Sequence, residues 1–549
     1  MAGLVSVLVL RPGRRMAQHL TGGPDLMDMR HSPWRTLSTA ACLAAVVIAC
    51  ADGATEPPIA EIGPPGITIV AGNQAADTID ALLPPLKIVV RDAKGHVLPH
   101  SLICFTPVRA KNPPGNPLEY EEERVRTVDS TGTLIGSASA FTADDGTVKQ
   151  HIRLGRLIGP GKLAIWVFGT DVVDTARFIV TAGRVANVRA FPKDSAVTVG
   201  GRMALRATST DRAFNPLSDP VSYRALDQSL SVTADGVVTA GAPTRSAVIV
   251  SNGSRKEDTA WVSVVPPGRF AALFNGSLAI LATDGSGQRV VPSTMTPRDP
   301  DWTRDGQSLL VKMSAGAARP ALYRVAADGT TTMVLPGEPG WFVNGYIGEP
   351  IHSFAQMPDG DILAAIAECS VNKILYRFRP GGASATRVSP PVPNGHSDCY
   401  DTAQSWPSPS PDGMRVAYDN DSMSVYYPHT VEVRDLTTGR VTYLGVGERP
   451  RWSPVSEEVA FVGDDRVWVA RADGLGLRAV SPVGRKYFPG VSWSPDGRWL
   501  MARYDRLTPG GFLPQIAILE VATGLELPLG YAARVTGIEY GVPAWSPRP

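Results

Sequence analysis

The sequence predicts an all-β chain in which sandwich-like modules precede a repeat array of six propeller blades. Three observations point there. The 549 residues include 54 Gly and 48 Pro, nearly a fifth of the chain where average usage is roughly 12%, so turns are dense throughout. Runs of five to eight β-branched and apolar residues alternate with Gly, Asp and Asn clusters, the pattern of short antiparallel strands. From about residue 267 onward one phrase recurs six times. The length also exceeds what one core supports, since single cores stop growing near roughly 250–300 residues. With 43% apolar and 19% charged residues, a disordered chain is excluded. A net charge of +1 gives no global field for nucleic acid or anionic lipid, so partners must be sought at local sites.

The amino end reads as an address. Arg30 and Arg35 precede an apolar run from Leu37 to Ala49, followed by the polar stretch ADGATEPP. A charged start, a short apolar middle and small residues before a cut are the layout of a secretory signal peptide, and the run is too short to span a bilayer. Val47-Ile48-Ala49-Cys50 resembles the lipobox of bacterial lipoproteins. That resemblance implies a signal peptide over residues 1–50, a lipid on Cys50 and a linker over 51–63. An ordinary signal peptide with a Cys near its cut site is the alternative. Met27 or Met29 would place the charged region correctly as the true start. Ala51, rather than Asp, follows the Cys, which by the sorting rule of some enteric bacteria implies the outer membrane, with the chain facing the periplasm or the surface. Past residue 50 there is no run of about 20 apolar residues.

Residues 64–182 read as short strands (ITIVAG, LKIVV, LICF, TVKQHIRL, KLAIWVFG, ARFIVTAG), which argue an antiparallel sandwich. Their order, with TADDGT and LG between them, resembles invasin-type bacterial Ig-like domains. Cys104, inside LICF, is expected to be a buried structural thiol. Residues 183–266 carry PKDSAVTVG, an alternating strand, and VTADGVVTAG, which resemble the group 2 bacterial Ig-like domain (BIG2). Asp235-Gly236 signals a two-residue hairpin turn, because Gly supplies the positive φ at little cost. Adhesion is one reading of the two modules. We favour spacers that hold the next unit away from the membrane.

Residues 267–549 contain PDWTRDGQSLLV, FAQMPDGDILAAI, SPSPDGMRVAY, PRWSPVSEEVAFV, VSWSPDGRWLMAR and PAWSP. Taking Trp302, Gln356, Pro409, Trp452, Trp493 and Trp545 as equivalent gives spacings of 54, 53, 43, 41 and 52, a blade-sized period. A strand, polar turn and strand lie between successive phrases, again six times. These repeats resemble the TolB-type, WD40-like β-propeller, which implies protein binding by analogy alone. The first outer-strand phrase has no WSPDG before it and the last WSP has no outer strands after it. The carboxyl-terminal strand is therefore expected to complete the first blade and remove the open edges. The Asp-Gly pairs should turn the first strand into the second, and the Trp side chains should pack between blades. Val455-Ser456-Glu457 departs from the repeat and predicts a different turn.

Catalytic signatures are missing: no G-x-S-x-G, H-E-x-x-H, C-x-x-C or Gly-rich phosphate loop occurs. Ser370 to Lys373 fits S-x-x-K without its partner motifs. Asp419, Asn420 and Asp421 offer oxygen ligands for Ca²⁺ without the full loop spacing, so a solvated turn is the plainer reading. His396, Asp398 and His429 are further polar loop residues. In a four-stranded blade the loop after strand two opens on the same face as the loop entering the next blade, so Cys369 and Cys399 can pair as a disulfide in an oxidising compartment. That disulfide would staple the long 389–406 segment, and Trp341, Phe342, Tyr346 and Tyr400 join His396 and Asp398 as binding-loop candidates. The leading reading is a non-enzymatic, lipid-anchored envelope protein binding an envelope protein or cell-wall component through the propeller loop face. The alternatives are a propeller-based hydrolase or lyase with a central-channel site, and a surface adhesin acting through the Ig-like modules.

Overall fold

The computed structural model describes residues 62–110, 122–316, 318–337, 351–367, 373–379, 385–390, 403–420, 428–508, 511–530 and 543–548. Among these residues every regular element is a strand, as expected of a chain that is broken by turn residues at short intervals. No helix among them is long and apolar enough to cross a membrane.

Residues 66–181 form a five-stranded and a six-stranded sheet packed about Leu86, Ile88, Phe105, Ile152, Leu163 and Phe178. Alternation along Thr147–Leu154 and Gly159–Val167 puts one side chain in two into that core. Cys104 is buried. Residues 187–265 form three smaller sheets about Val238, Val248, Val250 and Val262. The hairpin at Asp235-Gly236 forms, with Val232 paired to Val238, but its loop has four residues rather than two. Gly236 alone takes positive φ (84°), so a type I′ turn with both central residues left-handed does not arise.

Six four-stranded antiparallel sheets follow. The innermost strands of blades 2 to 6 are Thr296–Trp302, Ile351–Gln356, Gln404–Pro409, Glu448–Trp452 and Lys486–Trp493. Blade 1 (Arg269–Phe274, Ser277–Ala282, Arg289–Val290) receives its innermost strand, Ala544–Trp545, from the carboxyl end, with Phe270 opposite Trp545 and Ala271 opposite Ala544. The ring therefore closes as the repeat order requires. All six residues aligned in the repeat end an innermost strand. Beyond them, Gly306, Gly360, Gly413 and Gly497 take φ of 64–93° in the turn to the second strand. In three of these turns the Ser or Thr two residues before Asp donates to its carboxylate: Thr303 to Asp305, Ser410 to Asp412 and Ser494 to Asp496, at 2.5–2.6 Å. Blade 5 lacks the Asp-Gly pair and turns instead through Ser453–Glu457, with no left-handed residue.

Blades are joined through the tryptophans and through hydroxyls. The Trp302 indole N–H donates to the Ala544 carbonyl (3.0 Å) and that of Trp493 to the Arg451 carbonyl (2.8 Å), each on the preceding blade. The amides of Trp406, Trp452 and Trp545 donate to Ser353, Ser408 and Ser492 of the preceding blade at 2.7–2.8 Å.

The second module is fixed to this ring. Ala196 and Val265 share a core with Phe270, Trp499, Ile518 and Leu529 of blades 1 and 6. Ser195 bridges Gly530, and a Cβ on Gly530 (φ 66°) would stand 2.6 Å from the Asp194 carbonyl oxygen. The joint between the first two modules is held by Asp80, which pairs with Arg212 at 2.6 Å and Arg156 at 3.4 Å. It is also held by Asn215 Nδ2, which donates to the Arg156 carbonyl at 2.8 Å.

Two consequences are measurable. Trp545→Ala removes the side chain that seals the closing strand and should cost about 3–5 kcal/mol, read as a lowered denaturation midpoint. Gly530→Ala forces backbone apart at the joint. It should broaden the scattering profile, open the 266–268 connection to protease and lower the thermal transition of the propeller, whose closing strand shares this core.

Candidate functional site

The innermost strands do not run straight. In blades 2, 4, 5 and 6 their pairing with the second strand breaks between Arg298 and Asp301, Ser405 and Ser408, Glu448 and Arg451, and Tyr487 and Val491. A proline sits in each gap: Pro300, Pro407, Pro450 and Pro489. Proline has no amide hydrogen for the ladder, so the strand bulges and the residue before it is re-aimed. Asp299 (φ 45°), Trp406 (51°) and Arg449 (49°) are all left-handed there, a conformation costing a non-glycine residue roughly 1–3 kcal/mol.

These three residues meet at one end of the propeller axis. With Leu273, Gly276, Thr296, Pro297, Arg298, Lys312 and His352 they line a well of about 520 Å³. Lys312 lies within the wholly buried strand Leu309–Ser314. Its ammonium reaches Asp299 at 2.8 Å and the His352 carbonyl at 2.8 Å. Trp406 carries two neighbours: Arg449 lies over its face, 3.9 Å from the ring centroid, and His352 meets its edge with centroids 5.7 Å apart. Beneath them Asp419 is only 2% exposed. It accepts from the Ser405 hydroxyl and, at 3.1 Å, from the Arg449 amide.

Burial sets the charge states. It pushes the His352 imidazole down to about 3, aided by the cations Lys373, Lys312 and Arg449, so His352 is neutral near pH 7. Burial lowers the Arg449 guanidinium from its usual value and raises the Asp419 carboxyl. Arg298, Lys312 and Arg449 face Asp299 as the one carboxylate in the lining, so the well is cationic.

The opposite end of the axis is narrower, about 240 Å³, walled by Trp302, Trp452, Trp493, Trp545 and prolines of the repeat. Arg451 pairs with Asp301 across it at 2.5 Å. The Arg304 guanidinium donates to the carbonyls of Gln356, Pro409 and Ser410. Its donors already have partners, which makes this end the structural one.

Of the residues singled out from sequence, Cys50, Trp341, Phe342, Tyr346, Cys369, His396, Asp398, Cys399, Tyr400 and Asp421 lie outside the described residues. Asp419 and Asn420 do not form a solvated turn. They are the last residues of the strand Arg415–Asn420, whose four central side chains, Val416 to Asp419, are all buried, while Asn420 at its end donates to Glu432 at 3.2 Å. Among the described residues no group of three His, Cys, Asp or Glu side chains is placed to hold a metal ion. Asp299, His352, Trp406 and Arg449 were missed. Their signal was the proline three in four times following them, at a fixed offset before the repeat's terminal residue.

The molecule is an all-β protein ending in a six-bladed propeller. No family model matches the chain, and no curated protein matches it. Among solved structures it is similar to TolB from Acinetobacter baumannii (16% identity, 60% of this chain and 83% of that one, TM-score 0.39). Others are an oligogalacturonate lyase in complex with manganese (16%, 48% and 72%, TM-score 0.32) and the gluconolactonase XC5397 from Xanthomonas campestris (15%, 50% and 82%, TM-score 0.31). At these values the propeller assignment rests on the sheets themselves.

The depressed His352 makes a pH prediction. Between about 6.5, the unfolded value, and about 3, the unfolded chain binds the proton more readily, so stability rises with pH across that window and is lost as pH falls through it. Asp419, raised on folding, has the opposite slope above about 4, so the comparison must be with His352→Gln. That variant should lose less stability than wild type between pH 6.5 and 4, by up to about 1.4 kcal/mol per pH unit, in denaturant titrations at fixed pH.

Proposed function

We propose that the protein is a non-enzymatic lipoprotein of the bacterial cell envelope that binds an envelope protein or cell-wall component at the axial well of its propeller. The two preceding modules, Ig-like by their sequence resemblance, act as a stiff stem. The observation that carries this reading is the well itself: three non-glycine residues, Asp299, Trp406 and Arg449, are held in left-handed backbone and converge on one cavity. Strain of that kind persists where surrounding structure enforces it, and it clusters at ligand sites. The lipobox-like Val47 to Cys50 supports envelope anchoring, and the packed joints at Gly530 and Asp80 support a stem rather than a tether.

A hydrolase or lyase would call for several carboxylates, Asn or His converging on the axis. The described lining supplies Asp299 and His352 among three cations, a set better suited to holding a ligand than to moving its protons.

A photo-cross-linking residue placed at Thr296, an exposed position on the rim, should capture a partner in intact envelopes. The same residue at Asp219, exposed on the second module, should not. Capture only from Asp219 would transfer the binding role to the stem and favour the adhesin reading.

A further inference from the structure

We infer that the axial well is a seat for a free carboxyl terminus: the last residue of a partner peptide enters it, and its carboxylate is held by the Arg449 guanidinium. The inference rests on the proposed binding role of the well and names the chemistry it recognises.

Two neighbouring side chains that line the well have no hydrogen-bond partner among the described residues. Arg449 is half-buried, lies on Trp406 and uses its main-chain amide on Asp419, yet among the described residues its guanidinium makes no hydrogen bond or ion pair. The His352 ring, beside it on the same indole, makes none either. By contrast, Arg304 and Arg451 at the other end of the axis have acceptors within 2.5–3.5 Å. An arginine fork held half-buried on an indole with no protein acceptor keeps its donors for a ligand. Its planar donors match a planar carboxylate bidentately.

The surroundings narrow the ligand. Asp299 stands in the same lining, fixed by Lys312, and opposes a second negative charge, so a monoanion fits better than a phosphate dianion. Neutral His352 and the Asp299 carboxylate are acceptors for an N–H next to the bound carboxylate, as in a terminal peptide unit. Leu273, Pro297 and the free rim at Gly276 form an apolar wall suited to one side chain. A well of about 520 Å³ at the end of the axis takes a chain end more readily than a segment passing through.

The test uses the full chain in detergent and N-acetylated tripeptides carrying each apolar residue at the last position, as free acids and as carboxamides. Binding is read by Trp fluorescence and calorimetry. The expected result is that one or more free acids bind and that the matching carboxamide binds about 10- to 100-fold more weakly. Arg449→Lys should weaken the free acid by a similar factor without changing the carboxamide. Arg449→Asn, whose side chain tolerates left-handed backbone, checks that any loss survives in a variant with an unchanged thermal midpoint. Equal binding of acid and carboxamide overturns the inference. So does Arg449-dependent binding of a uronic acid disaccharide or inorganic phosphate when no peptide binds. If partner capture at Thr296 persists in either case, the well remains the binding site and only the carboxylate seat falls. If capture is lost as well, both fall.

Discussion

The innermost strand of each blade has a strand partner on one side only, and the other edge faces the propeller axis. An open row of amides and carbonyls is a hazard in any sheet, and this chain treats the two ends of that row differently. Near the repeat's terminal residues the free edge is closed by neighbouring blades, through hydroxyls of Ser408 and Ser492 and through indole N–H groups of Trp302 and Trp493. At the other end prolines remove donors altogether, and the bulges they cause turn side chains into the well. Stability and binding surface are thereby separated along one set of strands, a few residues apart.

The same constraint explains the way the ring is fastened. Blade 1 begins at Arg269 without an innermost strand and would present the Arg269–Phe274 edge to solvent until Ala544–Trp545 arrives. The last strand is only two residues long, so its hold comes less from ladder bonds than from Trp545, which is buried among Phe270, Trp499 and Leu529. That cluster also contains Ala196 and Val265 of the second module. Closure of the ring and attachment of the stem therefore draw on one core, and loosening either exposes the other. A flexible spacer has no need of such an arrangement, whereas a unit presented in a fixed orientation does.

Much of the architecture was legible in the sequence because it is repeated. Six aligned residues end six innermost strands, the Asp-Gly pairs make the turns, and the unmatched phrases at the two ends close the ring. The site was not legible in the same way, since repeats reveal what blades share and a site is made of what they do not. Asp299, Trp406 and Arg449 occupy one equivalent position with three different chemistries. What they share is the following proline, a residue easily read as one more turn signal. Asp419 misled for a related reason. An Asp-Asn-Asp run resembles a solvated loop, but the strand continues through Asn420, and it is covered on both faces, so that four successive side chains from Val416 to Asp419 are buried whatever their polarity. The buried acid is tolerated because Ser405 and the Arg449 amide satisfy it.

That last contact links backbone to chemistry. Arg449 can adopt its left-handed conformation because its amide has an acceptor in Asp419, and that conformation is what lays the guanidinium across Trp406. With Asp419 raised toward its neutral form and His352 held neutral, the cationic character of the well rests on Arg298, Lys312 and Arg449. Lys312 is already engaged with Asp299. Arg449 is thus the cation in the well that combines partial burial, a fixed plane and unused donors, and its placement follows from a proline, a bulge and one hydrogen bond.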